Sequence, residues 1–369
     1  MGLCGILSVT LAGCAEDGST APLPAPVQRM IDNGIAPPTD VVEVWVCRVP
    51  TTTTAPIYGD LPLRQPLEPA GIVGQIGDRV TDYWRIVSGG NYRMSFTAGG
   101  VVELADDEDD ADCLFHALDR SGPTAMVVLA VSDAEHTEGH AGGRGAQGNA
   151  PNCDGCAAAT TRRGVSLGAS DFDPGWGSVP LLDLIEHELG HTLGLPHSGE
   201  NFAVDAPYPS DLDVMSNSAA PRAVDPTRRD APSTLAINLV DLGWLTIDDV
   251  VVFDASSEAG GDGEIELAPA TAGAGTRLAV LGVDDHRVLT VEYRTATGLD
   301  AHLPEPGVVV HLVDDSAGTA IQRTQVPLGS SSPHTDLLGA GDSLVANGWS
   351  IDVRSVGTTA RLAIRPTDQ

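Results

Sequence analysis

The chain has 369 residues, 42% of them hydrophobic, which is enough for two ordinary domains each with its own core. Its net charge of −31 makes nucleic acid and anionic lipid poor partners, because both would be repelled. All 20 basic residues are Arg and none is Lys, a bias that bears on solubility and habitat rather than chemistry.

Met1 to Cys14 is a short apolar run closing on Leu11-Ala12-Gly13-Cys14, which resembles the lipobox of bacterial lipoproteins. The resemblance implies that residues 1–14 are a signal peptide, that Cys14 is lipidated, and that the protein is exported as an envelope lipoprotein or secreted. No Lys or Arg precedes the apolar stretch, a departure from the usual basic start of an export signal. Residues 15–39, rich in Pro, Ala and polar residues, read as a flexible spacer.

The folded part is expected to begin near Val41. Val41 to Val49 reads as a strand, Ile72 to Val87 as a helix, Tyr92 to Phe96 as a strand and Ala125 to Val131 as a buried strand. Helices alternating with strands fit a twisted mixed sheet carrying helices. Asp106 to Asp112 holds six acidic residues in seven; a solvated loop is expected, with a calcium site as the second candidate. His136-Thr137-Glu138-Gly139-His140 leads into a Gly-rich run and reads as a surface loop, with a second metal as the alternative. Ala157 to Ser170 carries one or two strands, including Gly164 to Ala169.

The densest chemistry lies in His187-Glu188-Leu189-Gly190-His191-Thr192-Leu193-Gly194-Leu195-Pro196-His197. Four residues apart on a helix, His187 and His191 project from one face and can bind one metal through neutral ring nitrogens. Glu188, rotated about 100° from His187, is better placed to reach a metal-activated water than to join the ligands. Gly194 can end the helix in the left-handed conformation, which lets the chain turn and return His197 as the third ligand. Three histidines leave a fourth position open, the mark of a catalytic zinc site. Leu181, Leu182, Ile185, Leu189 and Leu193 form the opposite, core-facing stripe, with Ser178 as a candidate cap and Pro180 in the first turn.

This extended motif, followed by a methionine in a tight turn, resembles the metzincin clan of zinc metalloproteases. In that clan such a Met floors the zinc ligands; Met215, within Asp211-Leu212-Asp213-Val214-Met215-Ser216-Asn217, is the matching position. Position 217 is Asn, so the tyrosine ligand of astacins and serralysins is missing. Ser198 looks matrixin-like, yet Cys47-Arg48-Val49-Pro50 is only a faint echo of a cysteine switch. Tyr83-Trp84 through Tyr92, Leu242-Gly243-Trp244-Leu245, and Val291 through Val309 are more similar to the secreted gametolysin and immune-inhibitor-A type. The resemblance implies a catalytic domain over residues 40–246 and an edge strand, within 157–170, that pairs with extended substrate. Residues 201–214 would then form one wall of the pocket beyond the scissile bond.

Ser233 to Trp244 reads as the closing helix of that domain. Beyond Ile247 come short alternating strands, including Arg287 to Tyr293, Gly307 to Val313, Trp349 to Val353 and Ala360 to Ile364, the signature of a β-sandwich over 247–369. His116, His286, His302, His311 and His334 are scattered and read as structural. Cys47, Cys113, Cys153 and Cys156 form an even set suited to an oxidising envelope. Of three possible pairings, Cys153 with Cys156 and Cys47 with Cys113 is favoured. The expectation is an α+β protein: a monomeric zinc endopeptidase using Glu188 and one catalytic zinc, acting on proteins or peptides and attached to membrane only through its lipid. The alternative is a zinc-binding surface or adhesion lipoprotein without activity.

Overall fold

The computed structural model describes residues 23–33, 36–50, 64–108, 110–134, 144–146, 162–199, 210–254, 263–316, 321–326 and 337–367. Among them the chain is α+β, with three sheets and six α-helices. None of those helices is long and apolar enough to cross a membrane.

The first sheet contains β1 (Thr39–Arg48), β2 (Arg93–Glu103), β3 (Val127–Ser132), β4 (Arg144–Ala146) and β5 (Arg163–Leu167), in the order β2-β1-β3-β5-β4. All neighbours are parallel except β4, which runs antiparallel to β5. Every residue of β3 is buried, as a central parallel strand covered on both faces requires. On one face lies α2 (Pro69–Val87), whose Ile72, Ile76, Val80, Tyr83, Trp84 and Val87 recur at helical spacing and enter the main core. On the other lies α3 (Asp110–Arg120), packed through Leu114, Ala117 and Leu118 on Trp45, Val128 and Ala130. A disulfide between Cys47 and Cys113, with Cα atoms 5.8 Å apart, fastens α3 to β1.

Within the stretch read as a spacer, Ala25–Asn33 forms α1, because Val27 and Met30 fall on one side and are buried in the main core. The strand before the helix of His187 and His191, expected at the sheet's edge, is interior; the short β4 from the Gly-rich run covers it.

The helix that carries His187 and His191 is α4 (Leu182–Leu193), followed by α5 (Ala220–Val224) and α6 (Ala236–Asp241). The closing helix is thus shorter than the pattern from Ser233 to Trp244 suggests. Beyond it, β6 (Val250–Phe253), β8 (Leu278–Gly282), β9 (Arg287–Arg294), β10 (Gly307–Asp314) and β11 (Gln322–Gln325) form one sheet, ordered β11-β10-β9-β8-β6. The third sheet is ordered β12-β13-β14-β7, from β7 (Gly263–Leu267), β12 (Ser343–Ala346), β13 (Trp349–Val356) and β14 (Ala360–Pro366).

Alternation along β9 gives it two distinct faces. Leu289, Val291 and Tyr293 share an apolar cluster with Trp349, Ile351 and Leu362 of the third sheet. Val288 on the opposite face joins Val280, Val313 and Trp244 in the main core, so that core runs across residue 247.

Candidate metal centre

Helix α4 starts at Leu182, and Ser178 and Pro180 precede it. Its N-cap, Leu181, has no capping side chain; the Leu181 amide instead donates to the Asp171 carbonyl at 3.1 Å. Leu182, Ile185 and Leu189 are buried in the main core, while Leu193 is half-buried. On the same helix Glu186, fully buried, accepts from the Ala231 amide at 2.7 Å and ties α4 to the chain before α6. Burial, reinforced by Asp230, raises its carboxyl well above the ordinary range.

The helix ends at Gly194, with φ 107° and ψ 2°, a conformation that costs a residue with a Cβ dearly. Leu195 donates back to the Gly190 carbonyl at 3.2 Å, and the reversed chain brings His197 beside the helix. The three rings converge. Centroids are 4.9 Å apart for His187 and His191, 5.2 Å for His187 and His197, and 4.5 Å for His191 and His197. One ligand nitrogen from each lies within 4.8 Å of the others, and the Nε2 atoms of His191 and His197 are 2.9 Å apart.

The surroundings set the tautomers. Nδ1 of His187 faces the Val214 carbonyl at 2.6 Å, and Nδ1 of His191 faces the Leu195 carbonyl at 2.8 Å. A carbonyl only accepts, so each Nδ1 carries the proton and each Nε2 keeps its lone pair for a cation. Burial, with help from the neighbouring imidazoles and against the Val214 contact, holds His187 down at about 3. Burial likewise lowers His197, opposed by Asp213. Neutral, pre-oriented imidazoles are what a divalent cation requires of such a site, and this triad could hold one.

Glu188 follows His187 on the helix and is 5% exposed. Met215 is fully buried, its Sδ filling the space where a Cβ on residue 190 would stand. The turn around Met215 is bound to the third histidine's loop. Ser198 donates its amide to the Met215 carbonyl at 3.0 Å and its hydroxyl to Asp213. Asp213, fully buried, also accepts from Thr234 Oγ1 at 2.8 Å, Asn238 Nδ2 at 3.1 Å and the Met215 amide at 3.2 Å. Nothing in the stretch Asp211 to Asn217 marks Asp213 out as a functional residue. Its burial and its contact with Ser198, fifteen residues earlier, leave no local pattern in the sequence.

Among the described residues the histidine triad alone brings three or more His, Cys, Asp or Glu ligand atoms within 4.8 Å; Asp109 of the acidic run at 106–112 lies outside the described residues. Glu108 of that run closes a turn by accepting from the Ala105 amide at 2.7 Å, and it meets His116 at 2.7 Å. His286 pairs with Asp315, His302 contacts the Asp211 carbonyl, and His311 is buried. The expected Cys47–Cys113 bridge is formed, which leaves Cys47 no thiol for a switch. Cys14, Cys153, Cys156, His334 and the His136–His140 segment lie outside the described residues. No protein-family model matches this chain, and no curated protein is significantly similar to it.

Proposed function

We propose that the chain is a zinc endopeptidase of the metzincin type, with His187, His191 and His197 as ligands and Glu188 as the acid–base residue. The observation that carries the proposal is the meeting of three imidazoles, two with Nδ1 held by backbone carbonyls, beside a carboxylate on the same helix. Zinc bound there would supply Lewis acidity, polarising a scissile carbonyl and making water a nucleophile near neutral pH. Glu188 takes the proton of the attacking water and hands it to the leaving amine. Met215 closes the apolar floor beneath the rings. Among the described residues β4 is the last strand on that side of the sheet, and its edge is where an extended peptide would add as a further strand, binding main chain whatever its side chains.

On the same proposal residues 40–246, together with α1, make up the catalytic domain and 247–369 a β-sandwich; the apolar cluster shared between the second and third sheets supports the sandwich, although the main core also takes in Val280, Val288 and Val313. Export, as an envelope lipoprotein lipidated at Cys14 or as a secreted protein, is supported by the buried Cys47–Cys113 disulfide, a bond that persists in oxidising compartments. The substrate is protein or peptide, and the chain acts as a monomer.

Purified chain incubated with casein or gelatin tests this directly. Cleavage is expected, abolished by a chelator and restored by zinc. Stoichiometric zinc binding without cleavage of any substrate in a peptide library would replace the enzyme with a zinc-binding surface module.

A further inference from the structure

The turn that carries Met215 is fastened from behind by a strand of the C-terminal sheet. Arg294 of β9 is 2% exposed and spends its planar fork on four partners. Nη2 donates to the Leu212 carbonyl at 2.8 Å and the Thr234 carbonyl at 2.9 Å, Nε to Glu292 at 2.6 Å, and Nη1 to Asp300 at 3.0 Å. The two carboxylates extend the hold: Asp300 accepts from the Ser233 amide at 3.0 Å, and Glu292 accepts from the Ala236 amide. Ser233 in turn accepts from the Val214 amide at 3.0 Å.

Val214 is the residue whose carbonyl orients His187, and its neighbour Asp213 holds the Ser198 that follows His197. A second tie from the same sheet reaches the third histidine's loop, where Gly199 donates to the Arg323 carbonyl of β11 at 2.5 Å. Buried ion triads are weak stabilisers, since apolar residues of similar volume often serve as well. What this one supplies is direction, because a guanidinium offers donors at fixed angles that an ammonium cannot reproduce.

We propose that Arg294 is a positioning residue of the metal centre: by clamping the carbonyls of Leu212 and Thr234 it fixes the turn at 213–215, and through it the orientation of His187 and His197. The C-terminal sheet is then an integral part of the site and not an appended module. The inference rests on the zinc-site assignment but not on the identity of the reaction.

The test uses the full chain in three forms: wild type, Arg294→Lys, and Arg294→Met combined with Glu292→Gln and Asp300→Asn, which removes the three charges together. Zinc affinity is measured by chelator competition, kcat and KM with zinc saturating, and folding by urea unfolding. Arg294→Lys is expected to fold, to bind zinc about 10- to 100-fold more weakly, and to lose kcat with little change in KM. The charge-free variant should not recover zinc affinity even where its unfolding midpoint matches wild type. A folded variant of either kind with wild-type zinc affinity and kcat overturns the clamp. A wild-type chain that binds no zinc overturns the metal centre and this inference with it. If wild type binds zinc but cleaves nothing, the peptidase assignment fails, and the affinity comparison alone decides for or against the clamp.

Discussion

Gly190 lies against Met215 so closely that the thioether sulfur occupies the position a side chain on residue 190 would need. A helix interior ordinarily penalises Gly by about 1 kcal/mol relative to Ala. Here packing reverses that preference. Gly190→Ala is expected to destabilise the chain by about 1–3 kcal/mol in urea unfolding, as overpacking does. Met215→Ala should cost about 2–5 kcal/mol through the cavity it leaves. The double variant should be clearly less destabilised than the sum, because the smaller residue at 215 makes room for the methyl. Strict additivity would show that the contact does not set the cost.

Glu188→Ala should lower turnover of a peptide substrate by at least about 100-fold, the lower range for loss of a general acid–base group. Zinc content by elemental analysis should remain one per chain, because Glu188 is not among the ligands. An active Glu188→Ala protein would sink the assignment.

His311 gives the fold an acid sensitivity of its own. Burial, followed by the charge of Arg294, lowers its pKa from 6.5 to about 3, and among the described residues its Nε2 has no hydrogen-bond partner. The unfolded chain therefore takes up this proton first as pH falls. Stability from this residue is complete above 6.5 and lost progressively between 6.5 and about 3. At pH 5 the loss is about 2 kcal/mol. Urea unfolding at pH 7 and pH 5 should show a difference smaller by about that amount in His311→Gln. The buried carboxyls of Glu186 and Glu292, raised mainly by burial, act in the opposite sense, so comparing variant with wild type isolates the imidazole. An unchanged difference would place the acid sensitivity elsewhere.

The Cys47–Cys113 bridge spans a sequence separation of 66. Closing a loop of that length in the unfolded chain contributes about 4 kcal/mol of stability. Cys47→Ala with Cys113→Ala should lower unfolding free energy by about that much and remove most of the shift that reductant causes in the wild-type unfolding midpoint. A variant as stable as wild type, with an undiminished response to reductant, would show that the Cys47–Cys113 bridge does not carry this stability.

Local pattern carried most of what was legible in the sequence. His187, His191, Gly194 and His197 encode their geometry through helix periodicity and one glycine, and the triad converges accordingly. Strands β1, β3, β9, β10, β13 and β14 are visible as alternating or continuous apolar runs. What escaped depends on partners distant in the chain. Helix α1 sits in a Pro- and Ala-rich stretch and exists because Val27 and Met30 find a core. β4 is three residues whose pairing with β5 gives no periodic signal. Thr290, Glu292 and Arg294 alternate with apolar neighbours and so read as a solvent face. They are buried because the metal-site region packs on them, with Arg294 reaching back 82 residues to Leu212.

That reach orders events during synthesis. The histidines and Glu188 leave the ribosome well before Arg294 and Arg323, which fasten the segments on either side of the rings. A nascent chain can thus display every ligand while lacking the parts that aim them. If the chain is the peptidase proposed above, its activity would emerge only after β11 has been made, when Arg294 and Arg323 are both in place.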